Sequence, residues 1–212
     1  MTRTASAIAA LVLCVAAHGR PVSYVGGWTV IEASNRQATS VLVHYTPHPR
    51  LSVGWRSEWD RAMSLSFHGA QFTTLAKRWF GENYQGNVYG LAGIGVASGV
   101  DDNTAGSETA AIAGVMADWE TRRYFASYTA RGLEAGDVGG GFYQAARVGV
   151  APYIGGTDDL HTWLMLEIDH RPTFRHAVDA TPLLRFFKGA ALLELGWSLR
   201  DETALVNFTY RL

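Results

Sequence analysis

From about residue 26 to its end, this 212-residue chain repeats one pattern. Apolar and polar residues alternate with a period of two over short stretches, and polar or glycine-rich turns separate the stretches. Val41, Val43 and Tyr45 alternate with Ser40, Leu42, His44 and Thr46. Leu164, Leu166 and Ile168 oppose Trp163, Met165, Glu167 and Asp169, and Leu193, Leu195 and Trp197 oppose Glu194, Gly196 and Ser198. Successive side chains of a strand point to opposite faces, so this periodicity means strands and excludes amphipathic helices. The pattern predicts about twelve strands, near 26–34, 39–46, 50–59, 70–80, 86–98, 108–119, 122–132, 140–152, 160–170, 177–187, 190–200 and 203–212. Ten is the nearest alternative count. Gln144 and Arg147 have opposite parity, which points to a bulge in the eighth strand or to a misplaced boundary.

No linker or low-complexity tract interrupts the series, so one domain is expected. The charged fraction is 17%, below the ~25% of an average soluble domain. Aromatic residues at 12% give the chain ample surface to bury and exclude a disordered protein. A formal charge of −1 without a basic stripe excludes a nucleic-acid binder.

The first residues read as an export signal. Arg3 is a short positive region, Ala5 to Ala17 form an apolar run, and Val15-Ala16-Ala17 offers the small residues of a cleavage site. Residues 1–17 are thus expected to be a signal peptide and 18–212 the mature domain. The run is too short for a permanent transmembrane helix, which needs about 20 residues. Cys14 is the single cysteine, so cleavage leaves a domain without disulfides, held by its core, by closure of its sheet, or by a membrane.

Alternation alone does not say which face points inward. A lipocalin-type barrel buries its apolar face, whereas a membrane barrel turns it outward. Trp59, Trp119, Tyr124, Trp197 and Tyr210 lie near strand ends, as interfacial aromatic girdles do. The opposite face carries Arg56, Glu58, Asp118, Arg123, Arg131, Glu167, Asp169, Glu194 and Arg200, with no lysine. Turns near 46–49, 120–121 and 188–189 are tight, while 99–107, 132–139 and 171–178 read as longer loops. Outer-membrane barrels alternate short periplasmic turns with long external loops in this way. Two connections break the rule: 154–160 is long where a short turn is due, and 200–203 is short where a loop is due.

The last strand places Val206, Phe208, Tyr210 and Leu212 on one face up to the terminus. This ending resembles the C-terminal signature of Gram-negative outer-membrane proteins, with Leu212 where the signature usually has Phe. The chain is further similar to a small, uncharacterised proteobacterial family of outer-membrane barrels. That resemblance rests on Val43-His44-Tyr45, Phe67-His68-Gly69-Ala70-Gln71, Lys77-Arg78-Trp79, Asp118 to Phe125 and Arg147 to Tyr153. It implies a compartment and no chemistry. The expected fold is therefore all-β, a single antiparallel transmembrane barrel in the outer membrane, whose partners are lipid and the barrel-assembly machinery that reads the last strand.

Charges facing a lumen define the candidate site: Arg56, Glu58, Asp118, Arg123, Arg131, Glu167, Asp169, Arg185 and Glu194. They could line a constriction that selects small hydrophilic solutes or ions, or they could fill the lumen as a salt-bridged plug. A non-conducting structural or docking barrel is the main alternative, with the Asp118–Phe125 turn as a contact surface. A lipid-modifying enzyme would use Ser66 with His68, which share parity, or His161 beside Asp158 and Asp159. His170, His176 and Asp179 are the residues a metal site would gather. A periplasmic lipocalin-like barrel remains the soluble alternative. No phosphate loop, zinc-protease motif or cofactor signature occurs, so no cofactor is expected.

Overall fold

The computed structural model describes residues 21–101, 106–156 and 158–212. The expected signal peptide, residues 1–17, lies outside these. Twelve strands run in chain order: β1 Trp28–Ser34, β2 Ala38–His48, β3 Leu51–Asp60, β4 Leu65–Phe80, β5 Tyr84–Gly99 and β6 Ser107–Thr121. They continue as β7 Tyr124–Ala135, β8 Gly139–Val150, β9 His161–His170, β10 Val178–Lys188, β11 Ala191–Trp197 and β12 Ala204–Arg211. Each strand pairs with its neighbours in sequence, and β12 closes onto β1 with Val30 opposite Tyr210. All the pairings are antiparallel. Closure leaves no sheet edge, which is the condition under which strands can cross lipid.

With twelve strands, β1 begins and β12 ends at the same rim. The connections at this turn end are short, at 49–50, 81–83, 122–123 and 189–190, except for 151–160. The opposite, loop end carries 100–106, 171–177 and 198–203 together with shorter connections at 35–37, 61–64 and 136–138. The expected loop at 132–139 is mostly strand, closed by a three-residue 3₁₀ turn, Gly136–Val138, in which Gly136 adopts φ +52°. β11 stops at Trp197, so Arg200 lies exposed in the following turn and not on a strand face.

The wall is inverted relative to a soluble protein. Trp55, Phe72, Ile94, Val115, Val148, Leu164, Leu166, Ile168, Leu184 and Leu195 all face outward and are exposed. Trp28, Tyr45, Tyr84, Trp119, Tyr124 and Tyr210 add an aromatic belt toward the turn end, and Trp28 packs on Tyr45 with ring centroids 5.3 Å apart. Buried inside are Glu58, Asp60, Gln71, Asn87, Glu167, Asp169, Arg185 and Glu194. An exposed apolar surface of this extent is stable only against lipid.

One sector departs from that inversion. Near the loop end of β4 to β7, Leu65, Phe67, Leu91, Ala97, Ala110, Ile112, Leu133 and Ala135 pack inside the barrel. Several of their outward neighbours there are polar: His68 Nδ1 lies 3.1 Å from Ser57 Oγ, and Ser98 Oγ lies 2.8 Å from Ser107 Oγ, although Val96 beside His68 is also exposed. These long strands thus carry a small soluble-type core above the apolar band. Gly69 and Gly95 face each other across β4 and β5 and make room for it; a Cβ on Gly69 would stand 2.7 Å from the Phe67 ring and from the Gly95 Cα.

The expected bulge in β8 is absent, since its registers with β7 and β9 are continuous. Gln144 simply faces outward, where it accepts from the Tyr128 hydroxyl at 2.7 Å and lies 3.0 Å from His170 Nδ1, while Arg147 faces inward. The bulges lie elsewhere, between Tyr45 and His48 in β2 and between Leu75 and Lys77 in β4.

Candidate functional site in the barrel lumen

Charged side chains meet in the interior in three main groups, the first two delivered by strand parity. In the first, Glu58 of β3 accepts from Arg56 Nη1 at 3.0 Å and from Arg131 Nη1 at 2.6 Å. Arg56 and Glu58 are two apart on one strand, so they share a face. Arg131 comes from β7, four strands away, so this pair crosses the lumen. Arg56 Nε also donates to Gln71 at 2.6 Å. Two guanidiniums thus share one carboxylate.

In the second group Arg147 of β8 donates from Nε to Glu167 at 3.0 Å and from Nη1 to Glu194 at 2.9 Å. Arg185 Nε donates to Glu194 at 2.6 Å, and Asn207 Nδ2 does so at 2.7 Å. The Arg185 guanidinium also lies 4.8 Å over the Phe125 ring. Glu194 is therefore enclosed by donors from β8, β10 and β12. Such charge-assisted, multiply bonded carboxylates are the strong members of a buried network.

The third group caps the loop end. Arg36, in the β1–β2 turn, donates from Nη2 to Asp169 at 2.7 Å, pairs with Asp201, and stands 3.8 Å from Asp179. Gln37 donates to the same Asp169 carboxylate at 2.6 Å, and His176 Nδ1 lies 2.8 Å from Asp201. Arg171 pairs with Asp60. Asp60 is the last residue of β3 and Arg171 follows directly on β9, and these strands stand six apart, so this ion pair ties opposite walls together. Phe174 lies beneath both guanidiniums, 4.8 Å from that of Arg36 and 5.7 Å from that of Arg171. Burial would depress the Arg36 guanidinium, but hydrogen bonds to Asp169 and Asp201 outweigh it and hold the group above its ordinary pKa. For Asp201, burial works upward and is outweighed by hydrogen bonds from His176 and Arg36, so its carboxyl titrates below its ordinary value.

Eight of the nine sequence-predicted lumen charges lie on the inward face. Asp118 belongs to a smaller chain near the turn end, where Arg78 donates to Asn87 at 2.6 Å and Asn87 to Asp118 at 2.6 Å. The ninth, Arg123, is corrected: it sits exposed in the 122–123 turn, because β6 and β7 end on either side of it. The pattern reading missed Arg147, Arg36, Arg171, Asp60, Asp179, Asp201 and Arg78. Arg147 was legible from the parity it shares with inward Tyr143 and Ala145. Arg36, Arg171 and Asp201 lie in turns, where alternation gives no direction. Arg78 is turned inward by the β4 bulge, which leaves Lys77 and Trp79 outside, the Lys77 ammonium 5.9 Å from the ring.

The other candidate residues do not converge. Ser66 and His68 both face outward, yet His68 meets Ser57 and the Ser66 hydroxyl donates to the Ser98 carbonyl at 3.4 Å. His161 packs on Phe187 with centroids 6.0 Å apart, while Asp159 accepts from the Gly156 N–H at 2.7 Å. His170 lies on the outer face and His176 in the cap. No group of three or more His, Cys, Asp or Glu suited to a metal occurs among the described residues.

No known family profile matches the chain, and no curated protein matches it in sequence. Among solved structures the barrel is similar to KdgM porin, with a TM-score of 0.51 and 9% identity over 87% of this chain and 97% of that one. The fold is porin-like. A second structure, of KdgM porin in complex with disordered oligogalacturonate, covers the same shares at a TM-score of 0.49 and 8% identity. At these identities the likeness is one of architecture, and the chemistry of this porin-like lumen has to be read from its own side chains.

Proposed function

We propose that this porin-like barrel resides in the Gram-negative outer membrane as a narrow channel for small hydrophilic solutes or ions. One observation carries the reading: the wall turns apolar residues to lipid and gathers charges of both signs inside, where Arg56, Arg131 and Arg147 keep 15–16% of their side chains exposed. Guanidiniums that stay partly accessible from the interior, each fixed by a carboxylate, would line a polar constriction. Outer-membrane residence fits an even strand number, both ends of the sheet at one rim and short turns there, which would face the periplasm. Export would use residues 1–17, leaving 18–212 as the mature barrel, and the outward Val206, Phe208 and Tyr210 of β12 would present the assembly signal. The nine sequence-derived charges are assigned to this path, less Arg123. Planar-bilayer recording tests the function: discrete conductance steps are expected, and conductance indistinguishable from bare lipid would overturn it.

A second reading has its own observation. The Arg171–Asp60 pair spans the lumen from wall to wall, as a strut in a non-conducting structural barrel would. Replacing Arg171 separates the two, because a gate opens when cut whereas a strut only weakens.

A further inference from the structure

We infer that residues Pro21–Ser23 form a built-in plug that enters the lumen and closes its turn end. Val22 is 2% exposed, and it packs with Leu75 of β4, Tyr89 of β5 and Met116 of β6, all inward-facing. The Ser52 hydroxyl of β3 donates to the Pro21 carbonyl, and the Ser23 N–H donates to Thr46 Oγ1 of β2 at 3.2 Å. Three residues thus touch five strands from inside the barrel.

The chain is shaped to make this entry. Tyr24 and Val25 are more than half exposed at the rim, so the path passes from outside to lumen within two residues. The reversal uses Gly26 at φ +83°, a conformation that costs a side-chain-bearing residue energy, and Gly27, where a Cβ would stand 2.8 Å from the Tyr24 ring. The Gly26 N–H donates to the Thr46 carbonyl at 2.9 Å, and the Thr46 N–H to the Gly27 carbonyl at 3.1 Å. The Tyr24 hydroxyl donates to the Leu212 carbonyl, pinning the turn to the end of the chain.

The seat is also one that can be vacated. Ser23 Oγ, Thr29 Oγ1 and both ring nitrogens of His44 are buried without hydrogen-bond partners. His44 stands opposite Thr29 and two residues from Thr46, whose hydroxyl accepts from the Ser23 N–H. Unpaired buried polar atoms cost free energy that water would restore, so a docked segment is opposed by its surroundings. This plug rests on the barrel fold; only its effect on permeation rests on the channel reading.

The test uses the full chain with Cys14→Ser and a reporter thiol at Met116→Cys, and measures its rate of modification by a small charged methanethiosulfonate. Comparison is with the same protein carrying Val22→Asp and, separately, lacking residues 21–23, each checked for heat-modifiable mobility so that only closed barrels are compared. Modification at least tenfold faster after either change is expected. Equal rates in all three proteins would overturn the plug. Conductance of the same proteins is read in parallel: a rise with faster modification supports plug and channel together. Faster modification without conductance in any form upholds the plug and sinks the channel reading.

Discussion

Replacing Glu58 with Gln probes the lumen most sharply. Glu58 is 2% exposed at its side chain and is the shared carboxylate of Arg56 and Arg131. The amide keeps the shape and one acceptor but removes the negative charge, leaving two guanidiniums facing each other. Arg56 retains Gln71 and Ser40, whereas Arg131 has come across the barrel to meet Glu58. Removing one member of a buried ion pair costs ~3–5 kcal/mol. The arginines keep 15–16% exposure, and that partial accessibility places this case near the lower end, at about 3 kcal/mol, or roughly a hundredfold in the unfolding equilibrium. Urea unfolding in lipid vesicles, followed by tryptophan fluorescence, measures it. The double variant Glu58→Leu with Arg131→Met should recover most of the loss, since an apolar pair of similar volume replaces the charges. A single variant costing less than about 0.5 kcal/mol, the size of an ordinary surface substitution, would refute the reasoning.

Three further outcomes follow from the geometry. Gly69→Ala should lower the temperature at which mobility shifts, by an overpacking cost of ~1–3 kcal/mol, because its Cβ would meet the Ile94 carbonyl oxygen at 2.4 Å; an unchanged midpoint contradicts the close approach. Asp201 titrates below its ordinary value, so its contribution is complete above the usual aspartate range and is lost as pH falls through the lowered value. Thermal stability should therefore hold down to about pH 4 and decline below it, and Asp201→Asn should lose part of that acid limb; an identical acid profile would count against the cap. Arg171→Gln should raise single-channel conductance if the Asp60 pair closes the loop end, and should lower stability alone if it is a strut.

The fold was legible because parity is a cheap and repeated signal. Twelve alternating stretches predict twelve strands, and the outward Trp59, Trp119, Tyr124, Trp197 and Tyr210 sit where the aromatic reading puts them. The misses have a common physical origin. The first five residues of β4 fell outside the predicted strand because Leu65 and Phe67 point inward and Ser66 and His68 outward, the reverse of the lipid-facing rule, above the apolar band. Arg78 was hidden by a bulge, which changes parity without leaving a mark in the residue types. Lumen charges on regular strands, such as Glu58 and Glu194, could be read. The cap could not, since Arg36, Arg171 and Asp201 meet only through closure of the barrel. The segment at Pro21–Ser23 gave no periodic signal; the Gly26-Gly27 pair before β1 was the single local hint of a reversal.

A closed barrel with lipid outside and charges within is directly testable. The most direct measurement is mobility in SDS gels of the membrane fraction, unboiled against boiled. The protein is expected to stay in the outer-membrane fraction, with an unboiled band that runs as a compact species and shifts on boiling. A protein recovered in the soluble fraction, with one mobility under both conditions, would contradict that arrangement and turn the apolar face inward.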